Sequence, residues 1–334
     1  MSLGRVSICT SQPRRRPTAA MLGLSAVNQD DLESHLEKRY GVCVAGSKAL
    51  DVGVFRLDFD GNPSWVARVF PAARPLEDVA GDAAILRRLE RRGFPAERCA
   101  HPEPVSSFGA HGVLVTEFVE RGKPLRPGRP AAILGALLGR LHANAGAGLR
   151  AGGAWHHLSL IGGPREEVAA AGALLDDALP RVGDRELSLY ERLRDEVDRV
   201  DDCQDLAHAF VHPDFVPANA IPTPDEGLVI VDWAGAGRGP RLWSLGFLLW
   251  AAGARSMRLV DVAVSRYRKH VALEPEELAR LSGAIRARPL MLECWAVCAG
   301  RREISDAVKR VSEAAERADR IAAQAQSAFE NNDG

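Results

Sequence analysis

The sequence predicts an α+β chain of two lobes, the first rich in strands and the second mostly helical. Three observations predict it. Residues 54–70 alternate apolar and polar side chains around a turn signal. After Pro124, helical periodicity takes over. Strands and helices are segregated along the chain instead of alternating, which separates this class from parallel β/α folds. With 334 residues the chain is long enough for two lobes around a sizeable core.

The first 29 residues hold no acidic side chain and carry Arg5 and Arg14 to Arg16. They read as an unstructured tail, with Met21 as an alternative start and only a weak likeness to a transit peptide. Residues 30–119 form the first lobe. A short helix is expected from Asp30 to Arg39, with Leu32 and Leu36 on one side. Phe55, Leu57 and Phe59 share a strand face, Asp60-Gly61-Asn62 supplies a turn, and Trp65 to Phe70 is the return strand. A helix from Leu76 to Arg92 has Val79, Ala83, Leu86 and Leu89 as its stripe and stops at Gly93-Phe94-Pro95. Strands follow at Val105–Phe108 and Gly112–Val119. Residues 120–127 (ERGKPLRP) are the expected hinge.

Residues 128–302 form the helical lobe, with helices expected at Ala131–Ala143, Glu166–Leu179, Leu187–Val200 and Leu259–His270. Another runs from Glu276 toward Leu292, with an interruption expected at Pro289. Residues 303–334 form an amphipathic helix and tail. Ile304, Val308, Val311, Ala315, Ala318, Ala322, Ala325 and Phe329 make a narrow apolar stripe there. Half of these are Ala and bury little area, so docking on the chain's own lobe is favoured over coiled-coil pairing, and a monomer or weak dimer is expected.

Net charge is −1, and residues 1–120 hold 15 side chains of each sign. Nothing global points to nucleic acid or to an acidic membrane surface. No apolar run has the length of a bilayer span. The six cysteines are scattered without a C-x-x-C pair, so zinc and thioredoxin-type sites are disfavoured. Cys294 and Cys298, one helical turn apart, read as buried thiols, and reduced cysteines fit a cytoplasmic protein.

The stretch FVHPDFVPANAIPTPDEGLVIVDWAG, residues 210–235, carries the chemistry. His212, Asp214 and Asn219 stand in the spacing H-x-D-x-x-x-x-N, and the apolar run LVIV leads to Asp232. Phosphoryl transfer to a hydroxyl needs a carboxylate to orient the nucleophile and accept its proton, and oxygen ligands for Mg²⁺ on the phosphates. Asp214 is the candidate base, and Asn219 with Asp232 the candidate metal pair. Asp and Asn beside proline also suit ordinary turns. The strand–loop–strand context favours the site: Ala209-Phe210-Val211 leads in and a β-rich run leads out.

These residues resemble the aminoglycoside phosphotransferase and choline kinase family, small-molecule relatives of the protein kinases. HPDFVPAN is similar to its H-G-D-x-x-x-x-N loop with Pro213 for Gly, VIVDWAG to its I-D-W strand end, and LLGRLHA to its L-x-x-L-H helix. GFPAE resembles its G-L-P-x-P turn only in part. The resemblance covers about residues 40–300. It implies a protein-kinase-like fold whose first lobe binds ATP or GTP with Mg²⁺. It also implies that Asp214 is the base, that His212 braces the loop, and that Asn219 and Asp232 hold the metal. Thr116, Glu117, Phe118 and Val119 would form the connector that meets the base of the nucleotide. His142 is expected to pack.

Three departures stand out. Arg68 replaces the lysine that grips the phosphates, and arginine keeps that charge with a different geometry. Asp82 best matches the helix glutamate that would pair with it, with Glu77 or Asp78 as the alternative. Ser244 stands where an aspartate would support the catalytic loop. The phosphate-covering loop is placed at Ala45-Gly46-Ser47-Lys48, with Ser47 on the nucleotide and Lys48 as either a phosphate contact or a solvated lysine.

The leading expectation is an ATP-dependent O-phosphotransferase acting on an aminoglycoside-like antibiotic or a metabolite. The rival is a degenerate kinase-like protein that binds nucleotide or a partner without turnover. A polycationic acceptor would want acids such as Asp201-Asp202-Asp205 or Asp176-Asp177, and a choline-type acceptor an aromatic cage. Trp155, Trp243, Trp250 and Trp295 are the cage candidates by position.

Overall fold

A computed structural model describes residues 27–154 and 162–330. Residues 1–26 of the expected tail, and Trp155, lie outside the described residues.

The chain enters through α1 (Gln29–Tyr40), capped by the Asn28 side chain and ended by Gly41 in the left-handed region at φ 67°. Three antiparallel strands follow: β1 (Gly46–Asp51), β2 (Val54–Phe59) and β3 (Asn62–Val69). Then come α2 (Leu76–Arg91), β4 (Val105–Phe108) and β5 (His111–Glu117). The sheet has five strands in the order β1-β2-β3-β5-β4.

Strand alternation gives this sheet two faces. Phe55, Leu57, Ala67, Val69, Val113 and Val115 point to one side and pack against Leu32 and Leu36 of α1. The opposite face carries the cross-strand rows Val54–Arg68–Leu114 and Arg56–Val66–Thr116. Arg68 and Thr116 therefore share the side turned away from α1. The phosphate-covering loop expected at residues 45–48 is not a loop, since Gly46, Ser47 and Lys48 already pair with Asp58, Leu57 and Arg56. The turn falls later, at Val52-Gly53, where Gly53 takes φ 68°.

In the second lobe α3 (Arg129–His142) lies against α7 (Met257–Tyr267). Close approach requires glycine here: a Cβ on Gly135 would stand 2.2 Å from the Ala263 carbonyl oxygen. His142 Nδ1 meets the Tyr267 hydroxyl at 3.0 Å in the buried seam, the packing role expected of it. α4 (Pro164–Ala178) and α5 (Leu187–Asp198) follow. The strands β6 (His208–Val211), β7 (Ala220–Pro222), β8 (Leu228–Ile230) and β9 (Gly237–Pro240) pair as β6 with β9 and β7 with β8.

α6 (Arg241–Gly253), which the sequence reading did not mark, buries Leu242, Leu245, Leu248 and Leu249. The single helix expected from Glu276 is two, α8 (Pro275–Ala279) and α9 (Leu281–Cys298). α9 continues through Pro289 instead of breaking. Arg288, Pro289, Leu290 and Met291 are all buried, so tertiary packing holds the turn that lacks one N–H. α10 (Ile304–Glu330) docks its apolar stripe on α9 and α7, on its own chain.

One core cluster runs continuously from Val79, Leu86 and Leu89 of α2 through Leu114 to Leu134, Phe210 and Trp233. Residues 118–128 connect β5 to α3. Gly122 ties this connector to the β7–β8 hairpin by its N–H on the Pro222 carbonyl at 2.7 Å. Among the described residues no helix is long and apolar enough to cross a membrane.

Candidate active site

β6 delivers the loop 212–219 and β8 delivers Asp232, and side chains hold both in place. His212 is fully buried. Its Nδ1 accepts the Asp214 N–H at 2.9 Å, so Nε2 carries the proton and donates to the Val231 carbonyl at 3.3 Å. Burial pulls the His212 pKa down, only partly opposed by the nearby Asp232 and Asp214 charges, which keeps this neutral tautomer. The ring sits 4.6 Å from Trp233 and 5.7 Å from Phe215, edge to face. His212 thus links the Asp214 backbone to Val231, between β8 and Asp232.

Three successive carbonyls of the loop each receive a side-chain donor. Ser244 Oγ donates to His212 O at 2.7 Å. Arg288 Nη2 donates to Pro213 O at 2.7 Å. Asn219 Nδ2 donates to Asp214 O at 3.0 Å and to Asp214 Oδ2 at 3.2 Å. Ser244 therefore still supports the loop where an aspartate was expected. Arg288 is in turn bonded to Glu167, and both side chains are buried. Neither was singled out from the sequence. Nothing local marks them, because the two stand 121 residues apart.

Asp232 takes φ 71°, an uncommon conformation for a non-glycine residue. Its N–H donates to Glu97 Oε1 at 2.8 Å, and its carboxylate pairs with Arg68 Nη1 at 2.8 Å. Glu97 also accepts from Thr116 Oγ1 at 3.2 Å. Burial pushes the Glu97 carboxyl up, while the Arg68 charge pulls it down. Glu97 was read only as part of a partial GFPAE match.

The Arg68–Asp82 pair expected from the sequence does not form. Asp82 lies on the inner side of α2, held by Arg74 at 2.7 Å and by Arg150. The short aspartate is captured by Arg74, just before its own helix, and by Arg150, which reaches over from the second lobe. Burial still pushes the Asp82 carboxyl up despite both arginines. Asp78 pairs with Arg150 at 3.1 Å and Glu77 is exposed, so neither alternative serves Arg68.

Ser47 is the other displaced candidate. It shares the β1 face that pairs with Leu57, toward α1, and its hydroxyl bonds Gln29 and Glu33. Lys48, on the Arg56 side, is exposed. In the connector, Glu117 N–H donates to Arg98 O at 2.8 Å and Phe118 N–H to Ser64 O at 2.9 Å. The Arg56 guanidinium stacks 4.1 Å from the Phe118 ring centroid, one residue before Val119.

The acidic clusters are engaged internally. Asp201 and Asp205 both bond Arg280, Asp202 pairs with Arg165 at 3.0 Å, and Asp176 bonds Arg194. Trp243 is buried in α6. Trp250 and Trp295 stack with Arg317 and Arg301 on the second lobe's helices.

Asp214 and Asn219 are thus bonded to each other in the loop and tied through His212 and the Val231 N–H on Asn219 O to the segment bearing Asp232, which pairs with Arg68 of β3. Residues 46–302 match the model of the phosphotransferase enzyme family (APH), and the chain belongs to that family. No curated protein matches the sequence. Among solved structures, the chain is similar to amicoumacin kinase hAmiN in complex with AMP-PNP, Ca²⁺ and Ami. That pair is 14% identical over 88% of this chain and 94% of that one, with a TM-score of 0.63. Choline kinase LicA from Streptococcus pneumoniae is 15% identical over 87% and 99%, with a TM-score of 0.60. Spectinomycin phosphotransferase APH(9)-Ia, in complex with ADP and spectinomycin, is 13% identical over 89% and 99%, with a TM-score of 0.56. At these identities the likeness is one of fold, and the fold is protein-kinase-like.

Proposed function

We infer that the chain transfers the γ-phosphate of ATP or GTP to a hydroxyl of a small molecule. One observation carries this reading: the Asp214–Asn219 pair of the loop and the Asp232–Arg68 pair are tied together through His212 and the Val231 N–H on Asn219 O. Asp214 is the base. Asn219 holds its Oδ2 and its carbonyl, leaving Oδ1 to take a hydroxyl proton from the acceptor. Arg68 would meet the phosphates by turning its fork from Asp232 to them.

The donor set fits Mg²⁺. Asn219 turns its Nδ2 toward Asp214, so its amide oxygen and the Asp232 carboxylate are the hard oxygen ligands that would hold the ion. Mg²⁺ is held by one or two carboxylates plus substrate phosphates and water, not by an all-protein cage. When bound there it would offset the charge on the phosphate oxygens. Within residues 116–119, among the described residues, the Val119 N–H is the donor that would meet the nucleotide base, since the Glu117 and Phe118 N–H groups are engaged.

The acceptor is an aminoglycoside-like antibiotic or another hydroxylated metabolite. A polycationic acceptor would draw on carboxylates other than Asp201, Asp202, Asp205 and Asp176, which have arginine partners. The test is nucleotide consumption across aminoglycosides, macrolides, choline, amino alcohols and sugars. Once an acceptor is found, Asp214→Asn lowers kcat by about 10²–10⁴-fold while nucleotide still binds. Full turnover by that variant refutes the base assignment. Mg²⁺-independent nucleotide binding with no turnover on any acceptor favours the non-catalytic rival.

A further inference from the structure

Glu97 sits at the junction of three elements that carry the site. Its own backbone is tied to β8: Glu97 N–H donates to Ile230 O at 3.0 Å, and Ile230 N–H donates to Pro95 O at 2.8 Å. Its carboxylate accepts from the Asp232 N–H at one oxygen and from Thr116 Oγ1 of β5 at the other. Arg68 of β3 pairs with Asp232 at 2.8 Å and lines one cavity with Glu97 and Thr116, so its charge meets the Asp232 and Glu97 carboxylates first, then Asp82 and Asp51. Asp82 lines the same cavity but acts on Arg68 less than Glu97 does, because Arg74 holds its Oδ2 and Arg150 its Oδ1.

We propose that Glu97 is the positioning residue that sets Arg68 and Asp232 for the nucleotide, a proposal that rests on the phosphotransferase reading. It does two things. The bond to the Asp232 N–H holds a peptide whose residue sits at φ 71°, fixing the direction of that carboxylate. The Glu97 charge gives Arg68 a second carboxylate neighbour. Asp232 can then release Arg68 when phosphates enter, without stranding the cation in a partly buried site. Glu97, from the turn after α2, thus outweighs the charge that Asp82 of the helix contributes.

Glu97→Gln tests this, since it preserves shape and an acceptor for the Asp232 N–H but removes the charge. Dissociation constants for a non-hydrolysable ATP analogue are measured on the full chain, with and without Mg²⁺, together with melting temperature. The expected result is a Kd raised about tenfold in both conditions, equivalent to about 1.4 kcal/mol, with a melting temperature close to wild type. The same substitution placed on Arg68→Gln changes Kd by less than about twofold, because the effect passes through Arg68. An unchanged Kd in Glu97→Gln overturns the proposal and leaves the phosphotransferase reading intact. An equal loss in both backgrounds, with a lowered melting temperature, also overturns it and makes Glu97 a structural brace. If the wild type binds no nucleotide, the phosphotransferase reading itself falls and the proposal falls with it.

Discussion

Replacing Arg288 by Met removes a buried cation from beneath the 212–219 loop. The Arg288 side chain is 2% exposed and that of Glu167 is 0% exposed. The change strips the Glu167 carboxylate of its arginine and the Pro213 carbonyl of a 2.7 Å donor. Breaking a buried ion pair from one side costs about 3–5 kcal/mol. A carbonyl left unsatisfied adds about 1 kcal/mol. Methionine is apolar and adaptable, so it fills much of the vacated volume and the cavity contribution stays small. The expected loss is therefore at least about 3 kcal/mol in urea unfolding followed by tryptophan fluorescence. Removing both charges, in Arg288→Met with Glu167→Leu, should recover most of it, because a buried pair replaced by apolar side chains is often neutral or stabilising. The double variant still lacks the donor to Pro213 O, so its kcat should remain reduced although its stability returns. A single-variant loss under about 1 kcal/mol, or a double variant no more stable than the single, refutes the reasoning.

Two further outcomes test the site and its support. Ser244→Ala deletes the donor to His212 O in a fully packed position and should cost about 1–3 kcal/mol, with kcat falling more than KM changes; unchanged stability and kcat would mean the bond carries nothing. His142 is held at a pKa of about 3 by burial, with a smaller contribution from Arg241. A folded pKa below the unfolded one means its stabilisation is complete above about pH 6.5 and is lost as pH falls toward 3. Between pH 7.5 and 5 this amounts to about 2 kcal/mol. His142→Gln should be less stable at pH 7.5 but flatter over that interval in urea midpoints, and identical pH slopes would remove His142 as the cause.

The readable parts of the fold were those in which a local pattern and the tertiary environment agreed. β4 was placed at its observed bounds, and α2 and α5 to within two residues, because burial follows period two or the 3.6-residue stripe. α6 was missed because it is apolar on nearly every side, so it shows no clean stripe. Ser47 was misplaced because Ala-Gly-Ser-Lys has loop composition, while pairing with β2 draws it into a strand. The expected break at Pro289 failed for a related reason: packing on all sides of α9 outweighed one missing hydrogen bond.

By itself the sequence determined that this chain is an α+β protein with His212, Asp214, Asn219 and Asp232 in one short stretch. Those residues are close along the chain: the loop after β6 carries the first three, and the short β7–β8 hairpin brings the chain back to Asp232. Only the tertiary structure decided which charges meet. Arg68 pairs with Asp232, Asp82 is taken by Arg74 and Arg150, and Arg288 holds the loop from below. Ion pairs between distant segments depend on the direction and reach of each side chain after folding, which spacing along the chain does not encode. That is why the candidate reacting groups are visible in the sequence and the residues that support them, Glu97 above all, are not.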